Sequence, residues 1–186
     1  MRATLISLLE RVQPQDEQER RDWEWMKKCA VELAEPFSRA QATAHFTGSA
    51  VVVSPDGAQV CLVNHARLKR WLQPGGHAAG EDGGDLLRTA LREAREETAL
   101  EVSVHPVAPL PLDVDAHLIP ARNDEPAHHH LDVRFLLVAK DPSALRHDPN
   151  ESTGSKWLSW DEALKVTTEP AFLRMLQKAR TVFAEP

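Results

Sequence analysis

Glu93, Glu96 and Glu97 are the residues of this chain best suited to chemistry. In an α-helix, residues three and four apart share a face, so all of them can converge on one point. Left alone they repel. A like-charged i, i+4 pair costs an isolated helix about 0.2–0.5 kcal/mol, and near a helix C-terminus the macrodipole adds to the cost. A bound cation reverses both penalties. Carboxylate oxygens suit hard Mg²⁺ or Mn²⁺, and magnesium commonly bridges such carboxylates to substrate phosphates. The competing reading is a solvated helix face on which Arg92 and Arg95 pair with neighbouring glutamates.

The elements that position this cluster are legible on either side of it. Leu87, Ala90, Leu91 and Ala94 recur at helical spacing behind Asp85, an N-cap residue type, and the helix is expected to end near Ala99. Glu93 and Glu97 flank the apolar stripe, which puts them at the rim of the core. Upstream, the β-prone segment Thr47 to Ser54, the turn Pro55-Asp56-Gly57 and Gln59 to Asn64 read as a hairpin. The Pro- and Gly-dense segment Trp71 to His77 is expected to be irregular. Downstream, Leu100 to Val107, Leu131 to Ala139 and Trp157 to Trp160 read as strands, and Trp160 to Val166 and Pro170 to Phe183 as helices. The Pro-rich stretch Pro106 to Pro126 reads as a long excursion able to shape a pocket. Residues 2 to 34 carry two helices separated by Pro14.

In this context the sequence resembles the Nudix hydrolase family. That family's box runs glycine, a spacer, glutamate, a spacer, then Arg-Glu, an apolar residue, any residue, Glu-Glu, any residue, glycine and an apolar residue. Arg92, Glu93, Ala94, Glu96, Glu97 and Leu100 match its core in register. Two positions depart. The spacing from Gly76 to Arg92 is two residues longer than the box allows, which points to a loop extended at Gly83-Gly84 with Glu81 or Asp82 in place of the early glutamate. The late glycine is Ala99, which suggests a helix end that needs no left-handed residue.

The resemblance implies an α/β fold, an α/β/α sandwich with a mixed β-sheet. Residues 1–40 would form an N-terminal helical extension packed on a Nudix domain spanning 41–186. It also implies a Mg²⁺- or Mn²⁺-dependent pyrophosphohydrolase that cleaves a nucleoside diphosphate linked to another moiety, by water attack on phosphorus. The implied metal ligands are Glu93, Glu96, Glu97, the Gly76 carbonyl and Glu151. The general base is one of the glutamates, Glu93 among them, and Arg92 orients a glutamate. A Nudix-fold nucleotide-binding or regulatory module without turnover is the alternative. An isoprenoid diphosphate isomerase on the same fold would need a catalytic cysteine, for which Cys61 on a strand is a poor match.

Further candidates lie outside the box. Arg67, Lys69 and Arg70 form a basic loop able to face phosphate, or an ordinary surface loop, and Trp71 beside it can stack on a base or anchor the loop. Asp132 and Arg134 share a strand face and can contact substrate or form a structural pair. His128, His129 and His130 invite a metal reading, but neighbours on a strand point to opposite faces and cannot all ligate one ion.

Composition limits the rest. With 186 residues, a net charge of -6, 42% hydrophobic and 27% charged residues, the chain has ordinary globular character. No global basic field favours general nucleic-acid or membrane binding. Cys29 and Cys61 lack metal-type spacing and read as reduced core residues. No signal peptide and no membrane-spanning apolar run is read, so the expected location is cytoplasmic. Trp23 and Trp25 on the N-terminal helices can cover the core or another subunit, which leaves a homodimer open.

Overall fold

The computed structural model of the chain describes residues 1–183 apart from Pro109, Asn123 and Asp124. Its centre is β1 (Ala44–Val53), buried along its whole length and paired in parallel with β7 (His128–Ala139) from Ala44↔His129 to Val53↔Val138. All other pairings are antiparallel. β2 (Gln59–His65) joins β1 only at Val52 and Val53 and then turns away to pair with β3 (Arg70–Leu72) and β8 (Ser152–Ser159). The edge of β1 that β2 vacates is taken by β4 (Gly75–His77). On the far side, β7 carries β5 (Val102–Val104) and β6 (Asp113–Ile119). The result is a mixed sheet of eight strands.

Strand alternation sends the two sets of β1 side chains to different layers. Phe46, Ala50 and Val52 join Leu131, Val133 and Phe135 under three helices: α1 (Arg2–Leu9), α2 (Glu17–Glu32) and α3 (Leu86–Thr98). Val51 and Val53 join Leu136 on the opposite face under α4 (Trp160–Ala163) and α5 (Pro170–Thr181), where Phe172, Met175 and Leu176 complete a second core. This is the expected α/β/α sandwich. The N-terminal helices belong to the first core through Leu5, Leu9, Met26 and Ala30. Arg2 ties them together by donating to the Ala30, Val31 and Leu33 carbonyls at the end of α2, where a cation also suits the helix dipole. Trp23 covers this core and donates from Nε1 to the Leu9 carbonyl, while Trp25 meets His129 edge-on. Among the described residues, no helix is long and apolar enough to cross a membrane.

Five sequence expectations need correction. The Trp71 to His77 segment is not irregular: it contains the end of β3 and all of β4, because the free edge of β1 supplies backbone partners that glycines can meet as well as any residue. The Pro-rich excursion contains β6, whose pattern is hidden by flanking prolines. The strand expected at Trp157 begins at Ser152, and the helix expected through Val166 ends at Ala163. The end of α3 does adopt a left-handed residue: Ala99 has φ 57° and donates its N–H to the Arg95 carbonyl at 2.8 Å. A side chain there costs about 1 kcal/mol relative to glycine. Ala99→Gly is therefore expected to raise the unfolding free energy by up to about 1 kcal/mol in chemical denaturation, with the m-value unchanged.

Candidate metal centre and active-site cleft

α3 is anchored at its start by Asp85, whose carboxylate accepts from the Leu87 and Arg88 amides, and it lies on β1 through Leu86, Ala90 and Ala94. Its far end is capped from outside. The segment between β7 and β8 donates Arg146 N–H to the Thr98 carbonyl and Asp148 N–H to the Glu97 carbonyl, satisfying groups the helix cannot pair itself. That docking brings Glu151 to the helix. Carboxylate oxygens of Glu93, Glu97 and Glu151 all lie within 4.8 Å of one another.

Glu93 and Glu97 are the buried members of this group. Burial, reinforced by the neighbouring charges of Glu93, Glu151 and Asp148, pushes the Glu97 carboxyl up to about 8, against a hydrogen bond from the Gly75 amide. Burial likewise raises Glu93, opposed by Arg92. Glu93 reaches its place by lying against the sheet: a Cβ at Gly76 would stand 2.6 Å from the Glu93 carboxyl carbon, so only glycine leaves room. Three converging carboxylate donors fit a hard divalent cation, whose binding would displace the proton that Glu97 otherwise retains.

Glu96 is placed differently. Its side chain is half exposed and accepts from Arg92 Nη1 at 2.8 Å, away from the trio. Arg92 organises the surroundings. It donates to Glu93 Oε1 at 2.9 Å, to the His77 carbonyl at 2.8 Å, and through Nε and Nη2 to both oxygens of Asp82. Asp82 is buried, and it also accepts from the Ala79 amide and the Thr89 hydroxyl. Burial works against its charge, but Arg92 and these donors hold its carboxyl below the usual range. Of the two candidates for the box glutamate, Asp82 is the one that Arg92 binds closely, while Glu81 is exposed and lies 3.7 Å from Arg92 Nε. The two extra residues form a turn at Gly83 and Gly84, with φ of 63° and 73°.

The trio opens into a cleft of about 1030 Å³. Arg67 and Arg70 line its rim and Gly76 its wall; Lys69, at the loop tip with φ 51°, is exposed and does not line it. Trp71 is half buried in the second core under the Lys156 ammonium, an anchoring position. Asp132 and Arg134 lie in the floor and are already partnered. Asp132 accepts from Thr47, Ser49 and Arg134; Arg134 also donates to Asp113 at 3.1 Å, Asp115 at 2.9 Å and the Ala171 carbonyl. Asp113 further binds Arg174 and Lys178 of α5. Cys61 is fully buried, and burial pushes its thiol up to about 12, which removes it as a nucleophile. Sequence reading missed Arg39, His77 and His117 among the cleft residues. Arg39 precedes β1, His77 lies on β4 and His117 on β6, so none carries a local signal; what the sequence does show is the polar face they join, in β1 and β7, where His45, Thr47 and Ser49 stand beside His130, Asp132 and Arg134.

With the geometry in place, comparison with known proteins is direct. The family profile described as NUDIX domain matches residues 43–178. Solved structures with the same fold include a NUDIX family hydrolase from Clostridium perfringens, at 22% identity and TM-score 0.57, covering 74% of this chain and 97% of that one. An Ap4A hydrolase binary complex from C. elegans matches at 17% identity and TM-score 0.53, over 75% and 97%. RenU, a Nudix hydrolase from M. smegmatis, matches at 20% identity and TM-score 0.51, over 75% and 86%. No curated protein sequence matches the chain. The chain belongs to the Nudix hydrolase family, enzymes that act on phosphorus-containing acid anhydrides.

Two outcomes follow from these contacts. Gly76→Ala should displace Glu93 and reduce turnover at least about 100-fold while the far-ultraviolet circular dichroism is unchanged, since a misplacement of about 1 Å can cost that much. Arg134→Met should cost about 3–5 kcal/mol in chemical denaturation at pH 7 by stranding buried aspartates. Burial opposes ionisation of Asp113 and Asp115, but Arg134 and its neighbours hold both below their ordinary range. Their contribution is present above about pH 4 and lost as pH falls through the depressed values, so the gap between variant and native protein should narrow in acid.

Proposed function

We propose that this enzyme is a cytoplasmic, Mg²⁺- or Mn²⁺-dependent pyrophosphohydrolase that cleaves a nucleoside diphosphate linked to another moiety. The observation that carries the reading is the convergence of Glu93, Glu97 and Glu151 on one wall of a cleft whose rim bears Arg67 and Arg70. The donor set fits the ion. Glu93, Glu97 and Glu151 would hold it together with the Gly76 carbonyl, and Glu96 would join them only after releasing Arg92. When bound, the ion supplies charge neutralisation for the diphosphate oxygens and a more acidic water.

The chain's own residues do the rest. Arg67 and Arg70, with Lys69 at the loop tip, attract the phosphates. Arg92 is a positioning residue that fixes the carboxylate of Glu93 against Asp82. Water oxygen bonds to one phosphorus as the bridging P–O bond breaks; the water proton passes to Glu93 or Glu97, and the bridging oxygen leaves with the second phosphate. Asp132 and Arg134 shape the floor on which the leaving moiety rests.

A cleft of this size admits a nucleotide and a second group. The activity that the C. elegans neighbour's name gives makes Ap4A a reasoned member of a test panel, beside ADP-ribose and other nucleoside diphosphate derivatives. Incubation with the panel and Mg²⁺ is expected to release phosphorylated products from at least one compound. Glu97→Gln should lower that release by at least about 100-fold without loss of fold. Binding of a nucleotide by the native enzyme with no metal-dependent release would select the regulatory-module reading instead.

A further inference from the structure

The polar face of β1 and β7 continues past the cleft floor into a histidine cluster that the carboxylate chemistry does not use. Register places His45 of β1 opposite His130 of β7 on the same sheet face, with His128 two residues before His130. His77 of β4 approaches from the other side of β1: its Nε2 lies 3.2 Å from His130 Nε2, and its ring centroid 5.1 Å from that of His45. His129, with the opposite strand parity, packs against Trp25 instead.

We propose that His45, His128 and His130, with His77 as a fourth ligand, form a second metal site for a late first-row divalent ion such as Zn²⁺. Ligand nitrogens of the first three lie within 4.8 Å of one another. Nitrogens around a tetrahedral zinc, each about 2.1 Å from the ion, stand about 3.4 Å apart; the hydrogen-bonded His77–His130 pair already meets that spacing, and closing the set requires rotation of the stacked His45 and His128 rings. The independent sign of a ligand is His45. Its residue is completely buried, yet among the described residues neither ring nitrogen has a hydrogen-bond partner. Buried polar atoms are seldom left unpaired, and an ion would satisfy one of the two.

The surroundings agree. His128 donates Nδ1–H to the Pro126 carbonyl at 2.9 Å, the outer contact that frees Nε2 as a ligand and fixes the ring. His77 and His130 line the cleft and give the ion an entry path. Imidazole donors select zinc, copper, nickel or iron over magnesium, so the two sites would sort ions by chemistry: carboxylates for the hard ion, histidines for the softer one. An ion here would clamp β1, β4 and β7 at the end of the cleft.

The test uses the full-length protein stripped of metal, with Glu93→Gln and Glu97→Gln combined to disable the carboxylate site. Titration with Co²⁺ is expected to bind one equivalent with the intense visible absorption of a four-coordinate ion, displaced by Zn²⁺ and not by Mg²⁺. Adding His45→Gln or His130→Asn should weaken binding by more than the about 10–100-fold that loss of an outer-shell partner costs. His129→Ala should leave it unchanged. Should His45→Gln fail to fold by circular dichroism, His130→Asn at the cleft surface carries the comparison. Absence of bound Co²⁺ in the carboxylate-disabled protein overturns the proposal whatever the variants do, and so does undiminished affinity in a folded histidine variant.

Discussion

Carboxylates of Glu93, Glu97 and Glu151 gathered within 4.8 Å, two of them largely out of water, are held together against their own repulsion. Much of the nearby structure answers that constraint. Arg92 supplies the resident positive charge, and its bond to Asp82 is what lets a single guanidinium serve Glu93, Glu96 and the β4 backbone at once. Gly76 clears the space that Glu93 occupies. The segment after β7 closes the C-terminal end of α3 and, in doing so, delivers Glu151. Burial and the neighbouring carboxylates push the Glu97 carboxyl up to about 8, a cost that the fold carries at this site.

A second constraint comes from the parallel pairing of β1 with β7. Because alternate residues face opposite layers, one side of this pair stays apolar beneath α1, α2 and α3. The other side passes from Val53 and Val51 through Ser49 and Thr47 to His45. Helices cover only the apolar part of that second face. Where cover ends the cleft begins, and its floor is held by Arg134 and the aspartates around it. A guanidinium so enclosed is a framework element: it satisfies acidic residues from β6 and β7 and bonds the start of α5, fixing the helix whose Phe172 borders the cleft.

Local signals in the sequence were sufficient where one element carried the information. The periodicity of Leu87, Ala90 and Ala94 and the N-cap type of Asp85 describe α3 nearly to the residue, and the family's box places Glu93 and Glu97 on it. Glu151 could be nominated from its place before β8. Long-range pairing was less legible. Gly75 to His77 form a strand only because β2 leaves β1 after two residues, a fact of topology that Pro and Gly content conceals. The direction of Glu96 depends on Arg92, and Arg92 depends on a loop whose length differs from the family's. The histidines of β1, β4 and β7 are far apart in the chain and become neighbours only through strand register. Reading the triplet His128 to His130 by itself correctly separates His129 from its neighbours, but it cannot show that His45 and His77 complete the group.

The most direct test of the account is anomalous diffraction from crystals of the native enzyme soaked in Mn²⁺. The account predicts an anomalous peak bounded by the carboxylates of Glu93, Glu97 and Glu151, with Arg92 still joined to Asp82. A saturating soak that leaves this position without a peak, while the dissolved enzyme turns over with Mn²⁺, would contradict it.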